Sequence, residues 1–207
     1  MTRNVAHLYL DSASIKALRE LLGQRWDGIT GDLAPEAPGL TLYSWAEVIA
    51  AIGGRAWTFS SRMTGSDFEG FEEEYPSLHV FAGSSRMEAA SSAGRVFSHH
   101  RGESVEAIFI VRETITRSVY GEQNWKFGTD YAVVFELSSG AVGIFKGGHH
   151  DEALFVNIAD DVDSLVIPDR SNEWSWDNQS GENYEVHRVW IPLGAVAAAT
   201  PSPRADP

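Results

Sequence analysis

The chain has 207 residues, with 29 acidic and 16 basic side chains, a formal net charge of −13 and no cysteine. Disulfides, thiolate catalysis and cysteine-ligated zinc are excluded, and the lack of a basic cluster argues against binding to nucleic acid or to an anionic membrane surface. At 43% hydrophobic and 22% charged, the composition is that of a globular protein. It is expected to form one domain over residues 1–193, followed by a disordered Ala/Pro-rich tail over 194–207.

Val5–Leu10 reads as a first strand. Ile15, Leu18, Leu21 and Leu22 recur at helical spacing behind Asp11 or Ser12 as the cap. Gly23 and the Gly28–Gly39 stretch, with Pro35 and Pro38, predict a loop, and Leu40–Tyr43 a short strand. Ser44-Trp45-Ala46-Glu47 fits a capping box, so a second helix is expected from there to Gly53-Gly54. Arg55–Met63 is extended, with Trp57 and Phe59 on one face. The acidic stretch 64–76 reads as a loop, Leu78–Phe81 as a strand, and Ser85-Arg86-Met87-Glu88 as the start of a short helix reaching about Ala93.

From residue 104 the pattern becomes strand-like. Val105, Ala107, Phe109 and Val111 alternate, and Asp130–Leu137 and Ala141–Lys146 flank Ser138-Ser139-Gly140 as a hairpin with a three-residue loop. Leu154–Ile158, Leu165–Ile167 and Tyr184–Leu193 complete the set, the last ending at Pro192. The expected class is α+β: a mostly antiparallel sheet, with two or three short helices from the N-terminal half packed on it. Met1–Leu10 lacks the apolar core of a secretory signal, and no apolar run is long enough to span a bilayer, which predicts a cytoplasmic protein. The excess of Arg over Lys, with plentiful Ala and Gly, matches a high-GC bacterial composition.

The acidity is regional. Residues 147–185 hold ten acids (Asp151, Glu152, Asp160, Asp161, Asp163, Asp169, Glu173, Asp177, Glu182 and Glu185) against one base, Arg170. Residues 64–76 hold Asp67, Glu69, Glu72, Glu73 and Glu74 and no base. The larger segment also carries Gly147-Gly148-His149-His150-Asp151-Glu152, whose imidazole and carboxylate groups suit a divalent metal such as zinc or manganese. Adjacent residues of a strand point to opposite faces, so His149 and His150 could share one metal only across a turn. Asp160-Asp161-Val162-Asp163 offers oxygen ligands without the EF-hand spacing. Trp174 and Trp176, two residues apart among acids, share a face in an extended chain and could stack on an arginine or a sugar. Trp26, Trp45, Trp57, Trp125 and Trp190 sit on apolar patterns and are expected in the core.

No nucleophile elbow, S-x-x-K motif, dinucleotide fingerprint or phosphate loop occurs, so an enzyme is the less favoured reading. The reading carried forward is an acidic binding protein without a cofactor that engages a basic protein partner through Asp160, Asp161, Asp163, Glu173, Trp174, Trp176 and Asp177. An immunity or antitoxin type of inhibitor is one such protein. The alternatives are a metal-dependent hydrolase using His149, His150, Asp151 and Glu152, and a small-molecule or glycan-binding domain using Trp174 and Trp176.

Overall fold

A computed structural model describes residues 4–31, 34–35, 41–68, 71–83, 95–148, 151–167 and 181–196. Two sheets dominate it. The first is built from β2 (Trp26–Gly31), β5 (Glu47–Ile52), β6 (Arg55–Phe68), β7 (Phe71–Ala82) and β8 (Arg95–Phe97), in the order β7-β6-β5-β2-β8. The second adds β1 (Asn4–Leu8), β3 (Ala34–Pro35), β4 (Thr41–Trp45), β9 (Val105–Val119), β10 (Glu122–Leu137), β11 (Gly140–Lys146), β12 (Ala153–Ala159) and β13 (Glu182–Pro192). Its order is β13-β9-β10-β11-β12-β4-β3, with β1 lying parallel to β10. All other pairings are antiparallel.

The apolar faces explain the layering. Ile108, Ile110, Val133, Phe135, Val142, Ile144, Leu154 and Val156 turn one face of the large sheet toward Ile29, Val48, Trp57, Phe59 and Val80 of the small one. The only α-helix among the described residues, α1 (Ser12–Leu21), joins this core through Ile15, Leu18 and Leu21. Asp11 is its cap, accepting from the Ser14 amide at 2.7 Å. The opposite face of the large sheet carries Val111, Ala132, Val134, Phe145 and Phe155, covered by Val162, Leu165 and Ile167. Residues 165–167 therefore serve as a covering segment and not as the expected strand. Burial on both faces is why β11 is buried at every position.

The mostly antiparallel sheet is as expected, but the second helix is not formed: residues 47–52 are β5. Val48-Ile49-Ala50-Ala51-Ile52 is as apolar as a helix face, yet it pairs with β6 and Gly53-Gly54 closes the hairpin with both φ positive, 62° and 71°. The capping-box residues instead build a corner. Ala46, at φ 64°, turns the chain from the large sheet into the small one, and the Ser44 hydroxyl donates across the corner to the Glu47 carbonyl at 2.5 Å. The helix expected from Ser85 lies outside the described residues.

Three further expectations are corrected. Residues 26–31 are strand, held by buried Trp26 and Ile29 with a register shift between Trp26 and Gly28. The β10–β11 turn has two residues, Ser138-Ser139, because Leu137 pairs directly with Gly140. Gly140 is needed for space, since a Cβ there would stand 2.2 Å from the His100 ring. Trp26, Trp57 and Trp125 are buried, but Trp45 is 60% and Trp190 38% exposed. Trp45 precedes the corner, and Trp190 lies on the outermost strand, its ring edge-on to Phe109.

Leu193 and Val196, around a short 3-10 turn at Leu193–Ala195, pack into the main core; residues 197–207 lie outside the described set. Among the described residues no helix is long and apolar enough to cross a membrane.

Candidate functional site

β10 is longer than either neighbour on one of its edges. β1 pairs with Trp125–Thr129 and β11 with Ala132–Leu137, leaving a seam at Asp130-Tyr131. The pairing with β9 is also irregular there, shifting between Asp130 and Ala132. A seam inside a sheet strands backbone polar groups that must find other partners. The Asp130 carboxylate accepts from the Leu10 amide at 2.8 Å, and the Thr129 hydroxyl reaches the Leu8 carbonyl at 3.3 Å.

These substitutes bring charge inside. Asp130, 1% exposed, takes two hydrogen bonds from Arg112, Nε at 2.7 Å and Nη2 at 3.2 Å. The Arg112 guanidinium lies 3.6 Å from the centre of the Tyr9 ring, and His7 stacks on Tyr9 at 4.9 Å. Partial burial, with Lys126 and Arg112 nearby, holds the His7 pKa below its usual value. Gly128 makes room for this stack: a Cβ there would stand 2.3 Å from the Tyr9 hydroxyl. Glu113, next to Arg112 on β9, is also buried and accepts from Arg188 Nε at 2.8 Å. Arg188 lies over the Tyr131 ring at 4.6 Å.

Lys146 ends β11 at the seam and is 4% exposed. Its Nζ donates to the Pro76 carbonyl at 2.8 Å and to the Thr129 hydroxyl. It thereby ties the β6–β7 hairpin to the large sheet, beside the Tyr75–Phe127 ring contact at 4.8 Å. Burial lowers the Lys146 pKa to about 8, while Glu113 and Asp130 pull it back up.

The residues singled out from the sequence do not converge. Asp160, Asp161 and Asp163 lie exposed on the turn after β12, where Asp161 accepts from the Ser164 amide at 2.7 Å. That interaction with Ser164 lowers the Asp161 pKa. Asp151 and Glu152 lie at the other end of β12, roughly 20 Å away by strand rise. Both are half-buried and hold backbone: Asp151 accepts from the Ala153 amide at 2.9 Å, and Glu152 from the Met63 amide at 3.0 Å. Glu182 pairs with Arg117 along the edge strand. Among the described residues no three His, Asp or Glu side chains gather as a metal-ligand group. His149, His150, Glu173, Trp174, Trp176 and Asp177 lie outside the described residues.

The acidic stretch 64–76 is not a loop. Its described residues, 64–68 and 71–76, form the outer part of the β6–β7 hairpin, beyond Ser60, the last β6 residue paired to β5. Register puts Asp67 directly across from Glu72, and Gly65 across from Glu74. The hairpin end near Met63 adjoins Glu152, whereas Asp160–Asp163 sit at the far end of β12. The described acids at the two ends of β12 thus lie apart in space.

Sequence reasoning passed over Glu113, Asp130, Lys146, Arg112 and Arg188. The available signal was a charge inside an otherwise apolar run, as Lys146 is at the end of Ala141–Lys146. Comparison with family models, with curated proteins and with solved structures finds no match to this chain.

Proposed function

We propose that the protein is an acidic binding module whose β6–β7 hairpin engages a basic surface on a protein partner. One observation carries the reading: the register pairs Asp67 with Glu72 in a ribbon whose described residues between 64 and 76 include four acids and no base. Like charges directly opposite on paired strands destabilise a hairpin, and a two-stranded ribbon has little stability of its own to spare. A cationic partner turns that repulsion into attraction and accelerates the encounter. Lys146 and Tyr75 fix the base of the ribbon, so its direction is set before binding. Asp160, Asp161 and Asp163 supply a second exposed acidic surface, and an inhibitor of a basic toxin is one protein this arrangement suits.

The test is to recover the partner by crosslinking in the source cell, identify it by mass spectrometry, and measure its affinity at low and high salt. Reversing Glu72, Glu73 and Glu74 to Lys is expected to weaken binding by at least about tenfold, and salt to weaken the wild-type complex. Changing Asp160, Asp161 and Asp163 to Asn separates the two surfaces. An affinity indifferent both to salt and to the hairpin reversals sinks the proposal.

A further inference from the structure

β13 is the last strand on one side of the large sheet, and among the described residues nothing pairs with its outer edge. An unpaired edge is a template for another strand, and proteins blunt it with lysine, proline, a bulge or a short length. None of these occurs from Glu182 to Trp190. The strand spans 11 residues, its register with β9 is unbroken, and its proline stands at position 192. Two of its charges are taken up by β9, Glu182 by Arg117 and Arg188 by Glu113. Val189 and Trp190 are neighbours, so they point to opposite faces, and both are exposed. Each face of the sheet is therefore open at this edge.

The strand is also complementary to itself. Glu185 and His187 are two apart, so they share a face, and both are exposed. Glu185 accepts from Asn183 Nδ2 at 3.3 Å on that same face. In an antiparallel pair about a two-fold axis at Val186, Glu185 of each copy stands directly across from His187 of the other. An axis at Glu185 or at His187 sets that residue against its own copy, and like charges directly opposite destabilise a pair. The axis at Val186 pairs Glu182 through Trp190 and leaves Pro192, which has no N–H to give, beyond the ladder. We propose that the protein forms a two-fold symmetric dimer by antiparallel pairing of β13 with β13 of a second copy, which joins the two large sheets into one.

The contact does not depend on what the acidic hairpin binds and has its own test. Sedimentation of the full chain from about 1 μM to about 1 mM should show a monomer giving way to a species of twice the mass. Glu185→Lys sets a cation against the imidazole, and His187→Glu sets carboxylate against carboxylate, each at two places in the dimer. Each variant is expected to weaken dimerisation by about tenfold. Both positions are exposed, so each variant should fold, with a wild-type circular dichroism spectrum and Tm at dilute concentration. In an equimolar mixture of the two variants both cross-strand pairs regain opposite partners, and the mixture should dimerise about as tightly as wild type. Wild-type protein that stays monomeric to about 1 mM overturns the proposal. So does a dimer indifferent to both variants, or a mixture no tighter than either variant alone.

Discussion

Lys146 makes a quantitative prediction about stability and pH. Its pKa falls from the usual 10.5 to about 8 in the folded chain. Between those values the unfolded chain holds the proton and the folded chain does not, so stability rises with pH across that window. The fall corresponds to about 3 kcal/mol, fully present above about pH 10.5 and lost as pH drops to about 8. Lys146→Met keeps the length of the side chain and removes the proton site. It leaves the Pro76 carbonyl and the Thr129 hydroxyl without their donor, a cost of about 1–3 kcal/mol. Relief of the buried ammonium offsets that cost at neutral pH, where the two proteins should lie within about 2 kcal/mol of each other. The measurement is urea unfolding of both proteins from about pH 7 to about pH 11 at constant ionic strength. Tyrosines and the other lysines cancel in the difference. Wild type should gain about 3 kcal/mol on the variant across the range. A difference constant to within about 0.5 kcal/mol would refute the reasoning, because Lys146 would then titrate alike in folded and unfolded chains.

Asp130→Ala leaves the Leu10 amide and the Arg112 guanidinium without their acceptor, and should cost about 3–5 kcal/mol in chemical denaturation. Asp130→Asn keeps an acceptor for Leu10 and should cost clearly less; equal losses would show that the amide bond is immaterial. Glu72→Lys places a cation across from Asp67 and should stabilise the protein by about 0.2–1 kcal/mol, seen as a higher Tm, while weakening partner binding. Gly140→Ala drives a methyl into His100 and should destabilise by about 1–3 kcal/mol. Much of that loss should be restored when His100→Ala is added, as read by a double-mutant cycle.

What the sequence made legible was local. The Asp11 cap, the α1 spacing and the β10–β11 hairpin follow from residues close in the chain. The segment Ser44–Gly54 shows the limit. A capping box, an apolar run and a Gly pair suit a helix with two caps, and equally suit a corner, a strand and a tight turn. What decides is β4 pairing with Ala153–Asn157, far along the chain. The hairpin at 64–76 was hidden because acids are poor strand formers, and its pairing is imposed by the register set at Trp57–Ser61 and Leu78–Ala82. Glu113, Asp130 and Lys146 were visible as charges in apolar runs, but they meet only because β9, β10 and β11 are neighbours. The metal and tryptophan candidates came from composition, and the described members of the acidic segment hold backbone, pair with arginine or face water.

The parallel seat of β1 has a consequence for the order of assembly. The small sheet draws its strands from residues 26–97 and can zip as the chain emerges from the ribosome. β1 cannot follow that schedule, because Leu8 and Thr129 are 121 residues apart. At a translation rate of about 5–20 residues per second, the first strand waits roughly 6–24 s for its berth. During that wait it is an unpaired strand beside a partly built protein, exposed to chaperones and to the same segment of neighbouring nascent chains. Synthesis through β10 is thus the commitment point. A chain stalled before Trp125 keeps its first strand unseated, however complete the small sheet has become.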